Sequence, residues 1–469
     1  MIGLKRFLIL LSLAFCFYNC SSDDEYISIE AQLYEPGEEY LTGNLGVNST
    51  SNNAFGFSVS GLSIEQQSKF ATGNSLFNQS WVSAPASTTA RDGLGPTFNA
   101  RACASCHFKD GRGQPLFNGE SSKGFLMRIS TSGTSVHGAP NPVAGYGDQI
   151  QDQANNGIPI EANITVTYQT IVGAYADGSS YELQKPIYSF SNENFGSLAG
   201  VMTSPRVGQQ TIGLGFVSAL AASEILQFED EFDADNDGIS GRANLVYDIE
   251  TQSMVLGKYG WKANVSTLKQ QVASAFRGDM GLTNALFPGT NCPSPQQDCF
   301  DAPNGGDLEV TNLQLNQVTF YQSSLAVPNR RHVKDASVLN GKVLFNDLKC
   351  INCHQIDLVT SNNFPTNPLL QGVTIKPYSD FLLHDMGEAL ADGRPDFLAT
   401  GSEWRTQPLW GIGLIPNVNG HSFLMHDGRA RNVEEAILWH GGEASASQEQ
   451  FKNLNEVERQ QVLDFVNSL

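Results

Sequence analysis

Two short runs of cysteine and histidine carry the clearest chemistry in the sequence. The first is Cys103-Ala-Ser-Cys106-His107 and the second is Cys350-Ile-Asn-Cys353-His354. In a C-x-x-C-H run both thiols can add across the vinyl groups of a haem, while the adjacent imidazole coordinates the iron. A zinc ribbon would place its C-x-x-C halves about 15 to 20 residues apart, far closer than these two. The motifs therefore predict two covalently bound haem c groups, with His107 and His354 as proximal ligands.

Length and charge limit what kind of protein can carry these motifs. The chain has 469 residues, only 16% of them charged, and 45 glycines, which predicts at least two domains with many loops. Its formal charge is -20; Lys5 and Arg6 are the only charged residues before Cys20, so a chain starting there carries -20 - 2 = -22. Such a negatively charged surface argues against nucleic acid as a binding partner. It favours a cationic electron donor, such as a small cytochrome or a cupredoxin.

The N-terminus has the pattern of a signal peptide. Lys5 and Arg6 precede an apolar run from Phe7 to Phe17, which is too short to cross a bilayer. A polar segment begins directly after Cys20, as in bacterial lipoproteins, whereas apolar residues continue after Cys16. We expect cleavage after residue 19, lipidation of Cys20 and a lipoprotein of the bacterial cell envelope that faces the periplasm or the cell surface. Plain secretion is the alternative.

The middle of the chain contains one further cysteine pair. Cys292 and Cys299 lie in a proline-rich stretch between the two C-x-x-C-H motifs. In an exported protein a pair this close in sequence is typical of a short-loop disulfide. We therefore predict a structural disulfide here.

An acidic stretch between the two motifs has the spacing of a calcium loop. Asp233, Asp235 and Asp237 alternate so that their carboxylates can converge on one cation, and Gly238 permits the sharp turn that follows. Asn244 occupies the twelfth position, where such loops carry a bidentate glutamate. The pattern predicts a structural calcium ion, and a solvated acidic turn is the alternative.

Helical patterns surround the second motif. Apolar residues at helical spacing run from Val333 to Leu344, and Asn455-Glu-Val-Glu458 is a capping box for a C-terminal helix. Two such helices can enclose a haem in a small cytochrome c domain. We predict a mainly α protein with two cytochrome c-like haem domains. Residues 20–90 would form a tether and irregular segment, 91–334 an N-terminal haem domain enlarged by long loops and short strands, and 335–469 the C-terminal haem domain.

The sixth ligand of the second haem can be predicted from helical spacing. Asn432 is a helix cap, with Glu435 completing a capping box, and Val433, Ile437 and His440 then lie on one face. An imidazole on the apolar face of a helix beside a haem is a candidate iron ligand, so we predict His440. The alternatives are Met386 and His384.

The first haem has a weaker candidate. His137, in Ser135-Val-His-Gly138, could reach its iron, but a histidine in a polar loop is usually only solvated. The first iron is therefore expected to be open or weakly ligated, in contrast to the second.

Several longer runs resemble a known family. They are Phe423-Leu-Met-His426-Asp-Gly-Arg429, Tyr378-Ser-Asp-Phe-Leu-Leu-His-Asp-Met-Gly387, Glu403-Trp-Arg-Thr-Gln-Pro-Leu-Trp-Gly-Ile-Gly413 and Ile437-Leu-Trp-His-Gly-Gly-Glu443. With the two C-x-x-C-H sites they are similar to di-haem oxidoreductases labelled thiol oxidoreductase-like, which are related to bacterial di-haem cytochrome c peroxidases and to the tryptophylquinone-forming enzyme MauG. The resemblance implies that His440 takes the position of the distal ligand. It also implies a bis-histidine, low-potential haem that relays electrons.

The same resemblance implies three catalytic residues near the first haem. Trp261 matches a tryptophan between the haems, Gln271 a glutamine of the distal pocket and Asp279 a distal carboxylate. The peroxidases usually have glutamate where this chain has Asp279. A carboxylate beside an open iron could move a proton between the two oxygens of a peroxide.

These expectations combine into a peroxidase-like di-haem oxidoreductase. Electrons would enter at the haem of His354 and His440, and chemistry would occur at the haem of His107. A pure electron-transfer lipoprotein and a surface component that handles iron or haem are the alternatives.

Overall fold

The computed structural model describes residues 33–118, 120 and 122–469. The predicted signal peptide and Cys20 lie outside these residues. The protein is 29% helical and 19% strand, with many small sheets. The prediction of a mainly α protein made of two cytochrome c-like domains is therefore wrong. The glycine-rich and threonine-rich stretches of the first half form antiparallel strands of up to twelve residues, where the sequence predicts long loops and short strands.

The helices are mostly short. They are α1 Ile64–Asn78, α2 Cys103–Cys106, α3 Leu214–Ala219, α4 Ala222–Leu226, α5 Leu268–Met280, α6 Gln297–Asp301, α7 Asn312–Ser323, α8 Ala336–Asp347, α9 Ile415–Asn419, α10 Val433–Trp439, α11 Ser445–Asn453 and α12 Glu456–Ser468. Short 3-10 helices occur at Phe108–Asp110, Cys350–Asn352, Pro368–Leu370, Ile412–Leu414 and Gly442–Ala444. No described helix is both long enough and apolar enough to span a membrane.

Apart from β1, the strands form one three-stranded and five two-stranded antiparallel sheets in the described residues. They are β1 Leu41–Asn44, β2 Thr97–Phe98, β3 Phe125–Thr134, β4 Pro140–Asn141, β5 Gln153–Ala154, β6 Asn163–Ala174, β7 Ser180–Ser191, β8 Met202–Val207, β9 Leu245–Asp248, β10 Ser253–Leu256, β11 Leu358–Val359, β12 Thr374–Ile375, β13 Leu383–Asp385 and β14 Glu403–Arg405. The pairs are β2–β5, β6–β7, β9–β10, β11–β12 and β13–β14, and the larger sheet has the order β4–β3–β8.

Helices α8 and α12 cross beside the second C-x-x-C-H motif, as the sequence predicts. The Asn455 side chain accepts from the Glu458 amide and the Glu458 side chain from the Asn455 amide, so the capping box is formed. The crossing is close, because a Cβ at Gly341 would lie 1.9 Å from the Gln461 carbonyl oxygen. This contact holds the helix that leads into the second motif.

The β6–β7 hairpin is the longest strand pair, with twelve residues in each strand. At about 3.3 Å per residue each strand spans roughly 40 Å. Its tip meets the C-terminal helices: the Tyr175 hydroxyl donates to Glu434 at 2.7 Å and the Ala176 amide to the Lys452 carbonyl at 3.0 Å. The hairpin therefore connects the region before the second motif with helices α10 and α11.

Two hydrophobic clusters form the main part of the core. The larger cluster takes buried residues from Leu41 to Leu469, and so from both predicted haem domains. The smaller one packs β3 and β8 against the base of the β6–β7 hairpin, and it includes Trp261 and Trp404. Both C-x-x-C-H motifs lie beside the larger cluster, since Cys103 and Cys350 pack against it.

Candidate functional site

The second motif presents His354 to an internal cavity. Helix α8 ends at Asp347, and the chain turns into the motif through Lys349 in a left-handed conformation. The Nδ1 atom of His354 lies 2.8 Å from the Tyr378 carbonyl oxygen, so this nitrogen is the donor and Nε2 is left for a metal. Burial lowers the pKa of His354 to about 4. The ring is therefore neutral at pH 7, as metal coordination requires.

His440 faces His354 across this cavity. The Asn432 side chain accepts from the Glu435 amide and starts α10, which ends at His440. The Glu435 carboxylate accepts from the Arg431 amide and not from that of Asn432, so the predicted capping box is only half formed. The Nδ1 atom of His440 lies 2.6 Å from the Ala436 carbonyl oxygen. The centroids of the His354 and His440 rings are 6.5 Å apart.

The cavity around these two rings is large and mainly apolar. Its empty space is about 1500 Å³, counted out to the opening. Val433, Ala436, Ile437 and His440 of one helical face all line it, as the spacing predicts. Further apolar lining comes from Phe345, Leu348, Ile412, Ile415, Leu424, Phe451, Val462 and Val466. Such a space suits a flat apolar macrocycle.

The two alternative ligands are placed differently. Both ring nitrogens of His384 contact carboxylates, Nε2 with Asp380 at 2.8 Å and Nδ1 with Glu443 at 2.7 Å. Burial of the ring opposes protonation, but the Asp380 carboxylate and, after it, the Cys353 sulfur raise the pKa of His384 well above its usual value. A protonated imidazole has no free lone pair for iron. Met386 lines the cavity, but His440 is the group that pairs with His354.

The first motif forms helix α2 and its C-terminal cap. The Cys103 carbonyl accepts from the His107 amide, which closes the turn and brings the thiols and the imidazole together. The Nδ1 atom of His107 lies 2.6 Å from the Gln209 carbonyl oxygen, the same arrangement as at His354. Burial lowers the pKa of His107, so this ring too is neutral at pH 7.

Asp279 lies close to the first motif. Its carboxylate is near enough to raise the pKa of Cys103 and of Cys106, in both cases after burial, which is the larger cause. Gln149 Nε2 donates to Asp279 Oδ1 at 2.9 Å and to Asn99 at 2.5 Å. Asn99 in turn donates to Asp152 at 2.9 Å. Burial raises the pKa of Asp279 above its usual value.

The other residues predicted near the first site are less clearly placed there. Gln271 lies on α5, the helix that also carries Asp279, and is half-buried. His137 is exposed and its ring stacks on that of Tyr247 at 3.8 Å. In the structure, therefore, the His137 ring packs against a tyrosine. The suggestion that His137 could be the distal ligand of the first haem stays a prediction.

Trp261 is part of a larger aromatic group that the sequence analysis missed. Its indole is buried and donates to the Val207 carbonyl at 2.9 Å. The His426 ring lies 6.5 Å from Trp261 and stacks on Trp404 at 3.8 Å. Trp261, Trp404 and His426 all line the cavity that also holds His354 and His440. The only sequence signal for His426 and Trp404 was their presence in the two runs used for the resemblance.

The residues of both motifs fit covalently held haem. Cys103, Cys106, Cys350 and Cys353 are free thiols, so neither C-x-x-C pair is consumed in a disulfide. Burial raises the pKa of Cys350 to about 12, which keeps this thiol neutral. Each predicted histidine ligand holds its Nδ1 against a backbone carbonyl, which fixes the ring and leaves Nε2.

The remaining predicted sites lie at the periphery. Cys292 and Cys299 form a disulfide with an S–S distance of 2.05 Å. In the acidic loop, one carboxylate oxygen from each of Asp230, Asp233 and Asp235 lies within 4.8 Å of the other two. The predicted third member, Asp237, instead accepts a hydrogen bond from Asn352, inside the second motif, at 2.9 Å. The sequence pattern therefore missed Asp230, which precedes the alternating run.

Comparison with protein families agrees with this arrangement. The family model described as "Di-haem oxidoreductase, putative peroxidase" matches residues 41–469. The chain belongs to this family of di-haem oxidoreductases. No curated protein sequence matches the chain.

Proposed function

We propose that the protein is a peroxidase-like di-haem c-type oxidoreductase in which the two sites have different tasks. The main support for this proposal is that the His354 and His440 ring centroids lie 6.5 Å apart, whereas the first motif has the Asp279 carboxylate as its neighbour. His354 and His440 would together hold the haem iron of the second site, which would leave no position free for a substrate. A carboxylate beside a single imidazole leaves room for a substrate and a group to move its protons.

The proton chemistry at the first site is assigned to Asp279. Bound haem iron would supply the electron exchange and the position at which a peroxide binds. Asp279 then takes a proton from one peroxide oxygen and returns it to the other as the O–O bond breaks. Gln149 holds the carboxylate in place through its hydrogen bond to Oδ1. The raised pKa of Asp279 brings the group closer to the pH at which it can both accept and release a proton.

The second site is assigned to electron entry. His354 and His440 are both fixed by backbone carbonyls, so little rearrangement of the ligands is needed when the charge of the metal changes. Trp261, His426 and Trp404 line the same cavity. They offer a continuous aromatic connection away from the second site.

The decisive experiment compares the ferric spectra of the two sites. The holoprotein should contain one low-spin haem whose spectrum does not change on addition of cyanide or peroxide. The spectrum of the other haem should shift when either reagent is added. His440→Ala should make the second haem respond as well. Two low-spin haems without any response, even after one-electron reduction, would instead support the electron-transfer alternative.

Three further proposals follow from the sequence. The protein is anchored in the bacterial envelope through a lipid on Cys20. The mass of the purified N-terminal peptide, which should include this lipid, tests the proposal. A basic cytochrome or cupredoxin donates the electrons, which stopped-flow reduction at varied ionic strength tests, because attraction between opposite charges weakens with salt. The acidic loop binds calcium, which calorimetric titration of wild type and Asp233→Asn tests.

A further inference from the structure

A tyrosine and a carboxylate form a buried pair beside the first motif that the proposed reaction does not use. Tyr321 Oη donates to Asp110 Oδ1 at 2.7 Å. Tyr321 is 1% exposed and Asp110 is 5% exposed. Asp110 follows His107 by three residues, whereas Tyr321 lies on α7, more than 200 residues further along the chain. The fold, and not local sequence, brings them together.

The backbone around this pair is unusual. Lys109 and Asp110 both have left-handed conformations, with φ of 51° and 62°. Non-glycine residues in this region cost free energy and tend to occur at functional sites. The turn points the Asp110 side chain at Tyr321. Asp110 is also tied down on its other side, because its carbonyl accepts from the Thr211 amide at 2.9 Å.

A close helix contact sets the position of Tyr321. Helices α1 and α7 pack so tightly that a Cβ at Gly73 would lie 2.2 Å from the Gln317 carbonyl oxygen and 2.6 Å from Tyr321 Cβ. Phe77, one turn after Gly73, therefore reaches the tyrosine ring. This packing is specific, because only glycine fits at residue 73.

Aromatic rings connect Tyr321 with the first motif. The centroid of the Phe77 ring lies 5.3 Å from that of Tyr321 and 6.3 Å from that of His107. Both separations are within the range of aromatic contact. Tyr321 and Cys103 are also close enough to interact electrostatically. The phenol therefore lies one ring away from the predicted proximal ligand.

On its outer side the pair lines a polar surface cleft. The cleft has about 830 Å³ of empty space, counted out to solvent. Its lining includes Asp110, Tyr321, Lys109 and the side chains Asn53, Asn74 and Asn78. Amides and an ammonium group suit a small molecule that carries hydroxyl groups.

We propose that Tyr321 and Asp110 are a proton-coupled redox pair, through which the first haem site oxidises small phenolic reductants bound in this cleft. Tyr321 gives one electron towards the site oxidised by peroxide, and its phenolic proton passes to Asp110. A hydroquinone in the cleft then supplies one electron to the tyrosyl radical. Tyr321 recovers its proton from Asp110, and the proton of the hydroquinone goes to solvent. The inference rests on the proposed peroxidase function.

The test uses holoprotein frozen within milliseconds of mixing with hydrogen peroxide and examined by EPR. Wild type should give a tyrosyl signal that narrows when the protein is grown with ring-deuterated tyrosine. Tyr321→Phe should lose it, and Asp110→Asn should reduce its yield at least several-fold. Tyr259→Phe is the matched control, since Tyr259 is also buried and its hydroxyl is hydrogen-bonded to Ser218 and the Leu214 carbonyl.

A second arm tests the cleft with hydroquinone as the probe. Hydroquinone should quench the wild-type radical, and Asn74→Trp should slow the quenching at least several-fold without lowering the radical yield. An unchanged tyrosyl signal in Tyr321→Phe, or a haem spectrum that responds to peroxide without any tyrosyl signal, would overturn the inference and leave the peroxidase function standing. Equal quenching in Asn74→Trp would overturn the cleft as the reductant site. A haem spectrum that does not respond to peroxide would overturn the peroxidase function and this inference together.

Discussion

The two C-x-x-C-H motifs have almost the same sequence and very different surroundings. His354 has a second imidazole opposite it in a wide apolar cavity. His107 has the Asp279 carboxylate and the Tyr321–Asp110 pair nearby, and both carboxylates accept side-chain hydrogen bonds. In the proposed function, these different surroundings assign one motif to electron transfer and the other to chemistry.

The strongest test of this comparison removes one haem at a time. Cys106→Ala should leave one covalent haem, so the denatured protein should lose the mass of one haem and the holoprotein should stop responding to peroxide. Cys353→Ala should lose the other haem and with it the invariant low-spin spectrum. If Cys353→Ala abolished the peroxide response and Cys106→Ala did not, the assignment of the two sites would be reversed.

The next largest effect is expected at Asp279. Removal of a general acid-base group typically slows a reaction about 10²- to 10⁴-fold, and Asp279→Asn should slow peroxide turnover by roughly that factor. Asp148→Asn is the matched control, because Asp148 lies near Asp279 but pairs with Arg128. Both variants should keep two haems and the spectrum of the second one. Equal rates for the two variants would exclude Asp279 as the proton-transfer group.

The pH dependence of peroxide turnover provides a second test of the role of Asp279. Asp279 must be ionised to accept the first proton, so turnover should fall as the pH drops through its pKa. Burial raises this pKa, so the acid limb should lie above the value of about 3.9 for an ordinary aspartate. The limb should be missing in Asp279→Asn. An identical limb in the variant would assign it to another group.

A ligand exchange tests the second site. His440→Met should raise the potential of the second haem, on the order of 0.1 V or more, since axial ligands set haem potentials over about 0.8 V. A sulfur-to-iron charge-transfer band should appear as well. Met386→Leu and His384→Ala are the controls and should leave the second haem six-coordinate and low-spin. Loss of the low-spin spectrum in either control would identify that residue as the ligand.

The smallest expected effect concerns stability beside the second site. His384 has a raised pKa, so its contribution to stability is complete below the unfolded value of about 6.5 and is lost as the pH rises through the folded pKa. Hydrogen bonding to His384 and Ser240 outweighs burial and lowers the pKa of Glu443 to about 2, so its contribution is lost only below about pH 4. His384→Gln should cost roughly 3 kcal/mol of unfolding free energy between pH 4.5 and 6.5 and less above.

The exposed His332 provides the control for that measurement. It pairs with Asp335 at the surface, and its side chain is 72% exposed. His332→Gln should change the free energy of unfolding by less than about 0.5 kcal/mol at every pH. A pH-independent loss in His384→Gln, measured by urea unfolding, would mean that packing and not charge is the origin of the effect.

Local rules predicted local structure well. The capping box at Asn455, the helix before the second motif and the helical face that carries His440 all follow from spacing over fewer than 15 residues, and the structure has all three. Strand pairing was missed, because the alternation within β6 indicates a strand but does not identify its partner, which is set by the fold. Asp230, lying just before the predicted calcium pattern, shows how a motif can shift by a few residues.

Contacts over long sequence distances could not be predicted. Trp404 stacks on His426, and Tyr321 donates to Asp110 across more than 200 residues, and no periodicity connects these positions. A single tyrosine on a helix is usually predicted to be a core residue, and Tyr321 is indeed buried in the core. Its carboxylate partner is what distinguishes it, and only the folded chain shows that partner.

The ferric spectrum of the holoprotein, recorded with and without cyanide, tests whether the two haem sites differ in their tasks. Cyanide should convert one haem, which is absent from Cys106→Ala, and leave the other unchanged. The unchanged haem should be absent from Cys353→Ala and should become responsive in His440→Ala. Two ferric haems that are both low-spin at neutral pH, with no response to cyanide or peroxide even after one-electron reduction, would contradict the division of tasks between the two sites.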